Sequence, residues 1–174
     1  MFRVFLKYKI MTDTNKKPKI KIILTKSDKV MEVIALLILI TLWIYVIYNY
    51  NSLPEIINTH FNAAGKVDGR GEKYYIFGLP GVATFIYTLV TLTNKYPQLI
   101  NHTEEITEEI TEENALEVYT KGTKIMRISK IIVLSIFGYA CWQTIGNHEI
   151  SPWFFPIVLL SLLIPIIYYS YKKK

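Results

Sequence analysis

The chain has 174 residues, 51% of them hydrophobic, and a mean hydropathy of +0.26. A soluble domain of this size cannot hide that much apolar surface, so the composition points to a protein whose solvent includes a bilayer. The formal charge of +6 does not require a nucleic-acid partner, because most basic residues flank apolar segments where membrane topology already accounts for them.

Residues 1–29 form a polar, basic segment carrying Arg3, Lys7, Lys9, Lys16, Lys17, Lys19, Lys21, Lys26 and Lys29. A cleavable signal peptide does not tolerate so long a lead, and no small-residue cleavage site follows, so the first apolar block is read as a permanent helix. Met11 offers an alternative start beside Met1. Four apolar blocks follow, at 30–50, 75–93, 125–145 and 153–171. Each is near the ~20 residues a helix needs to cross roughly 30 Å of hydrocarbon. In that medium an open strand edge leaves backbone groups unpaired, so every block is predicted helical despite its β-branched residues.

Within the first block, Glu32 lies near the start, where it reaches water, and is weak evidence of a proton path. Trp43, Tyr45, Tyr48 and Tyr50 close the block as interfacial anchors, as do Tyr168, Tyr169 and Tyr171 in the fourth. The connection at 51–74 contains Gly65, Gly69, Gly71 and the turn dipeptide Asp68-Gly69, and is predicted to fold as a compact hairpin-like loop where His60, Asn62 and Asp68 converge. In the second block, Pro80 predicts a kink, and the Gly78-Leu79-Pro80-Gly81 run allows close helix approach or a local break. Pro165 predicts a kink in the fourth block, whereas Pro156 falls in its first turn.

Residues 94–124 are an acidic segment in which Thr-Glu-Glu-Ile repeats run from Thr103 toward Asn114, predicted as a low-complexity helix leading into the third block. Lys121, Lys124, Arg127 and Lys130 recur every third residue behind it and are expected to lie along the headgroups, with Arg127 and Lys130 snorkelling to the interface. Cys141 is the only cysteine, so neither an intramolecular disulfide nor a cysteine metal site is available.

Seventeen Lys and Arg residues fall in or beside the two ends and the 94–124 connection, against three in the other connections. The asymmetry places both termini inside and the 51–74 and 146–152 connections outside. The predicted fold class is therefore an all-α membrane protein with four transmembrane helices, N-terminus and C-terminus cytoplasmic, in the bacterial cytoplasmic membrane.

The stretch from Leu53-Pro54 through His60-Phe61-Asn62, Gly65, Asp68-Gly69, Gly71 and Lys73 resembles the signature of the membrane domain of unknown function that begins SdpI-like proteins, the sporulation-delaying-toxin immunity family. Asn58 and Val67 stand where prolines are common in that pattern. On this resemblance, 30–93 is an SdpI-like membrane domain, flanked by the basic segment 1–29, the acidic segment 94–124 and a helical hairpin at 125–174. The resemblance implies a short stand-alone member whose loop residues His60, Phe61, Asn62, Gly65, Asp68, Gly69, Gly71 and Lys73 form the candidate motif.

Three classes of function follow. A binding, immunity or signalling module would present the outer loop to a peptide toxin or envelope component, with a protein partner inside. A transporter or channel accessory subunit is the alternative, although the spans hold no deep acid. A metal-dependent membrane enzyme would need His60 and Asp68, with further ligands from Glu55, Glu72, His148 or Glu149, to share a site at the outer surface, without any close-spaced ligand motif to assemble it. The expectation is a non-enzyme without cofactor or metal, partnered by the lipid bilayer and not by nucleic acid.

Overall fold

The computed structural model describes residues 18–99 and 110–171. Much of the basic N-terminal segment, most of the Thr-Glu-Glu-Ile repeat and the final Lys172, Lys173 and Lys174 lie outside these residues. Helix α1 (Lys26–Asn49) opens on a capping box: Thr25 accepts from the Asp28 amide while Asp28 accepts from the Thr25 amide at 2.9 Å. Its 24 residues extend about 36 Å. One stripe, Ala35, Leu39, Leu42 and Val46, is buried, while Val33, Leu37, Ile40, Ile44 and Ile47 on the other faces are exposed. A helix that is apolar all round yet buries a single stripe leaves apolar faces suited to a bilayer.

Strands β1 (Ile56–Phe61) and β2 (Val67–Glu72) form an antiparallel hairpin, the sole departure from helix among the described elements. A 3₁₀ turn at Lys73–Phe77 leads into α2 (Gly78–Lys95). Pro80 consequently sits third in its helix, where its missing N–H leaves no hydrogen bond unmade, and the expected kink inside this helix has no cause. Gly78 and Gly81 face open space, so the run does not mediate close helix approach.

Helix α3 (Ala115–Ile145) is continuous over 31 residues, starting ten residues ahead of the apolar block, and α4 (Phe154–Tyr171) contains Pro165. Three segments, Lys26–Ser52, Lys73–Lys95 and Ala115–Ile145, are long and apolar enough to cross a membrane; the apolar run Phe154–Tyr168 in α4 is shorter. Helices α1, α2 and α3 pack on one another, and α4 packs against α3, with Tyr139 and Phe154 stacked at 4.8 Å. The core joins Ala35, Leu39, Leu42 and Val46 to Ala83, Leu134 and Cys141, and continues into the hairpin base through Leu53, Ile57 and Ile76. Trp43 adds a polar tie, donating from Nε1 to Thr84 Oγ1 at 3.0 Å, so it ties α1 to α2.

Candidate functional sites at the two ends of the bundle

The hairpin is irregular in a way that serves its polar residues. Asn58 pairs with Arg70, His60 with Gly69 and Phe61 with Val67, leaving Thr59 and then Asp68 as extra residues on opposite strands. These two bulges twist the ribbon and aim side chains out of the simple alternation. Asp68, on one bulge, meets His60 Nδ1 across the ribbon. Gly69 lies opposite His60, where a Cβ would sit 2.8 Å from the His60 Cβ, so the pairing of these strands depends on a residue without a side chain. Gly71 lies under the Tyr75 ring.

At the tip, Asn62 Oδ1 accepts from the amides of Ala64 and Lys66 at 2.9 and 3.1 Å, and the Gly65 amide donates to the Asn62 carbonyl at 2.8 Å. Gly65 has φ +79°, and its carbonyl accepts from the Ile150 amide at 2.8 Å. That bond docks the hairpin tip on the connection between α3 and α4. At the base, Lys73 donates through its backbone to the Glu55 carbonyl and through Nζ to Glu55 Oε1, both at 2.9 Å, and stands over the Tyr50 ring. The residues of the candidate motif therefore play different parts. His60 and Asp68 meet, Asn62 and Gly65 shape the tip, Gly69 and Gly71 permit close approach, and Lys73 closes the base. Phe61, half-buried, ends β1. Asn62 does not join His60 and Asp68.

The acids and histidines considered as metal ligands are not gathered: Glu55 is engaged by Lys73, His148 lies edge-on to Trp142, and no group of three His, Cys, Asp or Glu side chains among the described residues is placed to hold an ion.

A second polar site, at the far end of the bundle from the hairpin, was not legible as such from the sequence. Arg127 and Lys130 do not snorkel. They are 3% and 1% exposed and turn inward onto Glu32, with Lys130 Nζ 2.5 Å from Oε2 and Arg127 Nε 3.1 Å from Oε1. Lys130 also donates to Thr91 Oγ1 at 3.1 Å and lies over the Tyr87 ring, while Arg127 Nη1 is 3.6 Å from Asp28 Oδ1. Two acids on α1 and two bases on α3 therefore neutralise each other, with α2 supplying a hydroxyl and a ring. One turn beyond Thr91, Asn94 is buried with both amide atoms unpartnered among the described residues. The signal that could have exposed this site was the i, i+4 spacing of Asp28 and Glu32 and the i, i+3 spacing of Arg127 and Lys130. Each puts two like charges on one helix face, at matching depth and with opposite sign.

A helical bundle with membrane-length apolar helices and a polar hairpin between its first two is the class these observations define. Residues 37–84, from the middle of α1 to the start of α2, match a family described as a domain of unknown function, DUF1648. An uncharacterized protein of Archaeoglobus fulgidus is 34% identical over 86 residues, a match covering 45% of this chain and 47% of that protein. The chain thus spans about half the length of the curated relative it matches. No solved structure matches.

Proposed function

We propose that the chain is a four-span protein of a prokaryotic cytoplasmic membrane, with both termini inside, that works as a binding module of the SdpI-like immunity or signalling type through its outer hairpin. The charge asymmetry supports the orientation, and α4 completes the fourth span by tilting little, its 18 residues reaching about 27 Å. The observation that carries the reading is the docked hairpin. His60 and Asp68 are fixed across two bulges while the tip is tied to Ile150, so polar side chains are held on a rigid scaffold where a ligand meets them without first ordering a loop. The DUF1648 match covers the hairpin whole.

The test is survival. A sensitive bacterium expressing the chain is challenged with secreted membrane-active peptide toxins, alongside His60→Ala and Asp68→Ala variants. Protection by the wild type that both variants lose supports the module; equal survival of all three and of cells without the chain, with membrane insertion confirmed, overturns it.

The buried cluster at Glu32, Arg127 and Lys130 favours a second reading as an accessory subunit of a transporter or channel, since ionisable groups inside spans commonly mark ion pathways. A proton or cation flux in proteoliposomes that Glu32→Gln abolishes is the result that distinguishes this reading.

A further inference from the structure

Between the hairpin and the adjoining helix ends lies a cavity of about 730 Å³, within the range of roughly 300–1,000 Å³ typical of small-molecule sites. Its walls are largely apolar, with Ile76 just ahead of α2 and Phe154 and Phe155 at the start of α4. Two buried polar side chains also line it, Asn58 from β1 and Thr144 from α3, 3% and 4% exposed. Neither the Asn58 amide nor the Thr144 hydroxyl has a hydrogen-bond partner among the described residues. Their polar atoms are not sealed in the interior but open onto the cavity, where an occupant can supply the missing hydrogen bonds. Arg70, on β2, is the one Lys, Arg, Asp or Glu residue among those lining the cavity, and it makes no ion pair among the described residues.

Resting on the binding-module reading, we infer that this cavity binds a single-chain anionic lipid, with the chain along the Phe154 and Phe155 wall, the headgroup oxyanion on Arg70, and Asn58 and Thr144 bonding the linkage between them. The chemistry follows from the position. The cavity has an apolar side formed by the ends of membrane-length helices and a polar side formed by the hairpin, so an occupant that matches both is an amphiphile. A planar guanidinium free of acidic partners suits a phosphate or carboxylate.

Gly78 allows a direct test, because it lines the cavity in a helical conformation and a Cβ there meets no heavy atom within 4 Å, so a large side chain is placed at the cavity wall without displacing the fold. Gly81 also faces open space but does not line the cavity, which makes it the matched control. The full chain, purified in detergent, is titrated with 1-palmitoyl lysophosphatidate, 1-monopalmitoylglycerol or inorganic phosphate, and bound ligand is counted by native mass spectrometry.

The expected result is one lysophosphatidate per chain, bound about tenfold more tightly than monopalmitoylglycerol, as one charge-assisted contact provides. Arg70→Gln removes that preference, Gly78→Phe abolishes binding of both lipids, Gly81→Phe changes neither, and inorganic phosphate does not compete. Binding undiminished in Gly78→Phe, equal affinity for the two lipids, or displacement by inorganic phosphate overturns the inference. Failure of the two ideas is separable: lipid binding without toxin protection removes the immunity reading and leaves the site, and protection retained in Gly78→Phe removes the lipid site's part in it.

Discussion

Gly65 concentrates more constraint than any other residue of the hairpin. Its φ of +79° is disfavoured for L side chains, and a Cβ there would lie 1.9 Å from the Ile150 carbonyl oxygen, so strain and collision fall on one atom. Gly65→Ala is expected to cost on the order of 1–3 kcal/mol from backbone conformation alone, with more from the displaced Ile150 contact. Thermal unfolding in detergent and trypsin cleavage at Lys66 measure it; unchanged melting and cleavage would contradict the docked tip. His60 and Asp68 differ in kind. Their side chains are 71% and 42% exposed, so His60→Ala and Asp68→Ala are expected to leave membrane insertion and melting temperature nearly unchanged while loosening the ribbon locally. Faster amide exchange confined to β1 and β2 is the observation that checks this.

Among the elements, α1 and α3 are joined by charge as well as by their apolar stripes. Removing one partner of a buried ion pair commonly costs about 3–5 kcal/mol, because the survivor is left uncompensated. The cost is not symmetric here. Glu32→Gln strands Lys130, which is almost fully buried and has no other acidic partner among the described residues, while Arg127 keeps Asp28; Lys130→Met leaves a carboxylate that is still 24% exposed and still paired with Arg127. Glu32→Gln is therefore expected to destabilise the bundle more than Lys130→Met, and the double variant less than Glu32→Gln alone. Denaturant unfolding of the three variants decides the order, and equal losses would mean that the cluster is more hydrated than its burial implies. The spacing of these residues was readable along the chain; their inward turn was not, because a lysine near a predicted interface satisfies its charge equally well by reaching water.

At the scale of the whole molecule, the proposed orientation puts the hairpin tip outside and the start of α3 inside. Cys141 is buried and provides a quiet background for introduced thiols. In intact cells a membrane-impermeant maleimide is expected to label Lys66→Cys but not Glu113→Cys, and both after lysis; the reverse pattern would invert the topology. The apolar blocks and the hairpin-like loop were open to sequence reasoning because hydrocarbon thickness sets helix length and a glycine such as Gly65 suits a turn; Asp68-Gly69, expected as the turn dipeptide, instead lies within β2, with Asp68 on a bulge, because the chain already reverses at residues 62–66. Even the division of α2 from its preceding turn, which makes Pro80 harmless, depended on where the hairpin releases the chain. His60 and Asp68 were expected to converge from their place in one loop, though Asn62 does not join them; what the tertiary structure alone decided is which distant polar groups find each other, Gly65 with Ile150 some 85 positions away and Glu32 with two cations nearly a hundred residues on. Those contacts depend on helix rotation and strand register, which long-range packing sets, and no local preference encodes them.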